Sequence, residues 1–72
     1  MEGNEQLVRL GAKIRELREG KGLTVGELGK KILSTKERIE RIEKEEINIQ
    51  YYTMVLIAEA LGLSVAELAE GI

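Results

Sequence analysis

The stretch from Leu23 to Glu45, LTVGELGKKILSTKERIERIEKE, admits very few structures. Its apolar residues pair at helical spacing, Leu28 with Ile32 and Ile39 with Ile42, so each pair lines one face of a helix. Thr24 and Glu27 have the spacing of a capping box, in which the threonine oxygen accepts from the third backbone amide and the glutamate reaches back. Ser34 and Thr35 are both residue types that start helices. The stretch therefore predicts two short amphipathic helices, about residues 25–32 and 35–44, joined by a tight turn. Ser34 with Glu37 also matches a capping box, which leaves the second start open between Ser34 and Thr35.

The flanking sequence extends the helical pattern. Leu7, Leu10, Ile14 and Leu17 place one apolar stripe on a helix of about residues 5–19, which Gly20 and Gly22 end. Residues 45–49 read as a loop. A further helix of about residues 50–61 stops at Gly62, and Ser64 with Glu67 opens a short last helix, about residues 65–70, fraying near Gly71. Proline, repeats and β-type alternation are absent. The expectation is an all-α fold, a compact five-helix bundle forming one domain over residues 1–72.

A chain of 72 residues buries only roughly 60% of its unfolded surface, so its core must pack efficiently. Cysteine, histidine and aspartate are all missing, which removes disulfides, the usual metal ligands and the usual triads. No enzymatic chemistry, cofactor or metal site is expected. No apolar run approaches the roughly 20 residues of a membrane span, and the first residues are not a signal peptide. A cytoplasmic location fits.

Charge is distributed unevenly. All 11 Lys and Arg residues fall between Arg9 and Lys44; the first 44 residues hold eight acids beside them, while the last 28 carry five glutamates and no base. The two parts thus have net charges of +3 and −5, the pattern of a chain with one end toward a polyanion. With Ile39 and Ile42 turned inward, the third helix presents Glu37, Glu40, Arg41 and Lys44 outward, flanked by Lys36 and Arg38. An α-helix fits the DNA major groove, where Arg or Lys bonds guanine N7 and O6 and a carboxylate accepts from cytosine N4. Arg41 is the residue expected on a base edge, Lys36 on a base or phosphate, and Glu37 on cytosine. The same side chains also form the i,i+4 pairs Glu37–Arg41, Glu40–Lys44 and Lys36–Glu40, each able to stabilise the helix by about 0.2–0.5 kcal/mol without any DNA.

The segments GAKIRELREGKGLT, LGKKILSTKERIERIE and TMVLIAEALGLSVAEL, in this order and spacing, resemble the phage-repressor (Cro and lambda-repressor-like, Xre-like) helix-turn-helix family from about Leu10 to Gly71. The resemblance implies a prokaryotic lambda-repressor-like DNA-binding domain. It implies that Thr24 and the start of helix two touch phosphates, and that Thr35, Lys36, Glu37 and Arg41 face the major groove. It also implies a buried ion pair, Arg18 with Glu43, tying helix one to the end of helix three. Val25 stands where the family commonly has a phosphate-bonding glutamine, and Leu33 and Glu45 stand where it has glycines. Leu33 would be strained if its backbone needs positive φ. The loop Glu45–Glu46–Ile47–Asn48 carries two acids where the family often carries bases, which lowers the expected affinity at physiological salt. Dimerisation would compensate.

Helix four is mostly apolar, interrupted only by Thr53 and Glu59. Tyr51, Met54, Ile57, Ala58 and Leu61 are expected in the core. Tyr52 and Leu56 then lie on another face and, with Val65, Leu68 and Ile72, form the expected dimer interface unless Leu7 and Val8 cover them. The reading is a sequence-specific transcriptional regulator of repressor type, a homodimer on a pseudo-palindromic operator in double-stranded DNA. It would contact that DNA through Thr24, Thr35, Lys36, Glu37, Arg38, Arg41 and Lys44. The alternative is a helix-turn-helix scaffold serving as an antitoxin-like protein-interaction module with a protein partner and weak or no DNA binding.

Overall fold

The structure, a computed structural model, describes residues 2–44 and 49–70, with side chains from Val8 onward. Among these residues the fold is all-helical: α1 Glu2–Gly20, α2 Val25–Lys31, α3 Lys36–Glu43, α4 Tyr51–Ala60 and α5 Val65–Ala69. The backbone of α1 is helical from Glu2, earlier than the apolar stripe alone suggests, and no proline interrupts it. None of these helices is long and apolar enough to cross a membrane. Leu7's side chain, the loop residues Glu45–Asn48, Gly71 and Ile72 lie outside the described residues.

Each helix contributes to one core. Leu10 and Ile14 of α1, Leu28 of α2, Ile39 and Ile42 of α3, Ile57, Ala58 and Leu61 of α4, and Leu68 of α5 are buried together with Ile32. Two expectations fail here. Tyr51 is 70% exposed: it opens α4, whose buried residues, Ile57 and Ala58, come in its later turns. Leu68 is fully buried, because it is the one large side chain that the five-residue α5 sinks into the core, with Val65 only packed against that core; it is a core residue and cannot face a second copy.

Three helices end in the same way. After α1, the Leu23 amide donates to the Arg18 carbonyl and the Gly22 amide to Glu19; after α4, Leu63 donates to Ala58 and Gly62 to Glu59. This Schellman arrangement needs a left-handed residue, supplied by Gly22 (φ 71°) and Gly62 (φ 77°). After α2, Ser34 donates to Gly29 (2.7 Å) and Leu33 to Lys30, and the left-handed residue is Leu33, at φ 58°. The strain foreseen for leucine is therefore present. The same turn decides the start of α3. Ser34 is used by the turn, and Thr35 is the N-cap, its Oγ1 accepting from the Arg38 amide at 3.2 Å.

Candidate nucleic-acid interface

The third helix is positioned from three sides. Ile39 and Ile42 are sunk in the core at 0% and 3% exposure. Gly29 of α2 lies so close to the turn that an added Cβ would meet the Thr35 carbonyl oxygen at 3.0 Å. Gly11 of α1 abuts the other end of α3, where a Cβ would lie 2.7 Å from the Ile42 carbonyl oxygen and 2.8 Å from that of Glu43. Two glycines thus let α3 approach both neighbours at backbone distance.

A buried ion pair adds an orientational lock. Arg18 Nε donates to Glu43 Oε2 at 2.7 Å and its second terminal nitrogen to Oε1 at 3.1 Å, a two-point fork. The remaining terminal nitrogen donates to the Leu23 carbonyl at 2.7 Å. Both side chains are nearly sealed from solvent, at 10% and 7% exposure. The hydrogen bond that Arg18 donates to Glu43 raises the Arg18 pKa above its ordinary value, outweighing the opposing effect of burial. One guanidinium thereby joins the end of α1, the entry to α2 and the last residue of α3.

The outward face of α3 is left to solvent. Lys36, Glu37, Arg38, Arg41 and Lys44 are exposed, and Glu40 is half-buried. Among the described residues no ion pair forms between Glu37 and Arg41, Glu40 and Lys44, or Lys36 and Glu40. Among the described residues, Lys36, Arg38, Arg41 and Lys44 are thus exposed and none is held in an ion pair on this face. Thr24 and Thr35 are exposed at the starts of α2 and α3. Thr24 Oγ1 accepts from the Glu27 amide (3.0 Å), and Glu27 Oε1 accepts from the Thr24 amide (2.8 Å). Each threonine oxygen is held by its cap while its hydroxyl proton remains able to donate.

Of the residues expected on a dimer surface, Leu68 is in the core and Ile72 lies outside the described residues. Tyr52 (69% exposed) and Leu56 line an open groove of about 270 Å³ together with Ile32, Leu33, Ser34, Arg38 and Thr53, so they face the turn between α2 and α3. Val65 is half-buried against the core. Val8, expected to cover Tyr52 together with Leu7, is itself 44% exposed, and the Leu7 side chain lies outside the described residues. Sequence reasoning missed the groove, and with it Ser34 and Thr53. The available signal was Thr53 itself, a polar residue in an otherwise apolar helix start. Also missed was Lys13, whose Nζ donates to the Glu67 carbonyl (2.9 Å) and the Glu70 carbonyl (2.6 Å) and so ties α1 to the end of α5.

The chain is similar to known proteins. A family model described as "Helix-turn-helix" matches residues 14–68. The crystal structure of the clp gene regulator ClgR from Corynebacterium glutamicum is similar to this chain with a TM-score of 0.84 and 27% sequence identity, over 88% of this chain and 67% of that one. No curated protein matches.

Proposed function

The chain belongs to the helix-turn-helix family, of the phage-repressor-like kind, and from that premise we propose that it is a sequence-specific DNA-binding transcriptional regulator. The observation that carries this reading is the outward face of α3, with Lys36, Arg38, Arg41 and Lys44 exposed and, among the described residues, outside any ion pair, on a helix fixed by the Arg18–Glu43 pair. In the proposed complex α3 lies in the major groove. Arg41 bonds guanine N7 and O6, Glu37 accepts from cytosine N4, and Lys36 takes a base or a phosphate. Arg38 and Lys44 neutralise phosphates, and the hydroxyls of Thr24 and Thr35 donate to phosphate oxygens. This function is recognition rather than catalysis.

Two copies are proposed to bind together. A single α3 with four cations and acids between them neutralises few phosphates, and affinity rises with each phosphate neutralised. A two-fold pair doubles that number and places the reading helices about 34 Å apart on a pseudo-palindrome. A second reading, the protein-interaction module, is favoured by Leu33 at 95% exposure and Tyr51 at 70%. Selection from random duplex DNA, then titration of the enriched duplex at several salt concentrations with sedimentation of the complex, separates the two. The regulator reading expects an enriched site, a steep salt dependence and two chains per site. Absence of any enriched sequence together with a flat salt response would leave only the interaction module.

A further inference from the structure

The groove between the α2–α3 turn and α4 has one charged lining residue, Arg38, and no carboxylate. Ser34, Tyr52 and Thr53 add three hydroxyl groups, and Ile32, Leu33 and Leu56 form apolar walls. Leu33 and Tyr52 line it at 95% and 69% exposure, so two large apolar side chains meet water at one place. Such side chains grouped together mark a contact surface, where single ones would not.

Leu33 is also where the fold carries strain. The equivalent turns after α1 and α4 use Gly22 and Gly62 in the left-handed conformation, whereas here a leucine holds φ 58°. With 95% of its surface in water, packing inside the fold does not offset that strain. A strained residue whose side chain adds nothing to the core points to a contact made outside the chain.

The lining selects the occupant. Protein–DNA interfaces are more polar and far more cationic than contacts between proteins, and three aliphatic walls with one cation do not match that composition. A second copy seated symmetrically would bring two Arg38 guanidiniums together. Seated by its acidic surface, it would offer Glu59, Glu67 and Glu70, but among the described residues α5 exposes no large apolar side chain to enter the groove. The volume, about 270 Å³, is just below the roughly 300–1,000 Å³ of small-molecule pockets, which suits a few side chains of an extended segment and not a folded face.

Resting on the DNA-binding reading, we propose that this groove docks a short acidic and apolar segment of a partner protein, and that docking and DNA binding exclude each other through Arg38. An apolar side chain of the segment packs between Leu33, Leu56 and the Tyr52 ring, and a neighbouring carboxylate takes the Arg38 guanidinium as a two-point fork. The hydroxyls of Ser34 and Thr53 donate to carbonyls of the segment's backbone. Arg38 then no longer neutralises a phosphate, so a partner of this chemistry weakens the hold on DNA.

The test selects binders of the full chain from a random peptide library displayed on phage, without DNA, and titrates the enriched peptides by fluorescence anisotropy. They should share an apolar residue next to Asp or Glu. Leu33→Gly should weaken them at least about tenfold, the scale of burying one leucine side chain. Glycine relaxes this turn, so a Tm at or above that of the wild type shows that the loss is not unfolding. Arg38→Gln should also weaken them about tenfold, the scale of one hydrogen bond between charged groups, and Tyr51→Ala, outside the groove, should not. On a duplex enriched by selection, saturating peptide should lower wild-type affinity at least to that of Arg38→Gln, and Leu33→Gly should bind the duplex as the wild type does. The proposal is overturned if no peptide is enriched, if enriched peptides bind Leu33→Gly as tightly as the wild type, or if peptide and duplex bind together. Loss of duplex affinity in Leu33→Gly would assign the groove to DNA, and a changed sedimentation would assign it to a second copy; either also overturns it. Failure of the wild type to bind any duplex, with peptide binding intact, would instead overturn the regulator reading and leave the docking site standing.

Discussion

Arg18 and Glu43, 25 residues apart in sequence, meet through a two-point hydrogen-bonded fork in which both side chains are almost completely withdrawn from water. Removing only one partner leaves a buried charge without compensation. Arg18→Met should therefore cost about 3–5 kcal/mol in urea denaturation, while the double replacement Arg18→Met with Glu43→Leu should recover much of it. Equal losses in the single and double variants would mean that the two groups are not coupled. Because the Arg18 pKa is raised, its contribution is fully present below the unfolded-state value and is lost only as pH rises through the folded one. Titration of Arg18 should thus leave stability unchanged from neutral to mildly alkaline pH.

Leu33 occupies a backbone conformation that its own side chain disfavours. Leu33→Gly should stabilise the fold by about 1 kcal/mol, since leucine at 95% exposure gives up almost no packing. For a domain of this size that raises Tm by roughly 4–8 °C. Leu33→Ala keeps the Cβ and should leave Tm nearly unchanged. If alanine gained as much as glycine, exposure of the leucine side chain rather than backbone strain would be responsible.

The same substitution should have opposite signs at two helical glycines. A Cβ at Gly26 meets nothing closer than Thr24 Oγ1 at 3.8 Å, so Gly26→Ala should stabilise by about 0.5–1 kcal/mol through helix propensity. A Cβ at Gly11 would sit 2.7 Å from backbone oxygen, so Gly11→Ala must push α1 and α3 apart and should destabilise by about 1–3 kcal/mol. Thermal melts of the two variants moving in the same direction would refute the close approach at Gly11.

Lys13 holds the carbonyls of Glu67 and Glu70 at the end of α5, a helix of five residues that cannot persist without tertiary support. Lys13→Met should cost about 0.5–1.5 kcal/mol. The loss should concentrate in α5, read as faster hydrogen exchange at the Leu68 amide with α2 and α3 unaffected. Uniform acceleration across the chain would assign Lys13 a global rather than a local role.

What the sequence made legible was chemistry that acts over three or four residues. Thr24 with Glu27 and Ser64 with Glu67 form complete capping boxes, and both are readable because cap and partner are a fixed distance apart in the chain. The start of α3 was not resolved, because Ser34 and Thr35 have equal local chemistry and only the turn's claim on the Ser34 amide separates them. Tyr51 and Leu68 were misplaced for a related reason. A helical wheel gives the direction of a side chain, but not whether the neighbouring layer extends far enough to cover it. The groove combines the α2–α3 turn, α3 and α4, so no sequence window contains it.

Central to all of this is a base-reading role for α3, and Arg41 tests it most directly. Binding sites selected from random duplex DNA by the wild type and by Arg41→Ala should differ at the base pair that Arg41 reads, where the variant loses about 1–3 kcal/mol of discrimination and keeps its preferences elsewhere. An identical preference at every position in the two selections would contradict it.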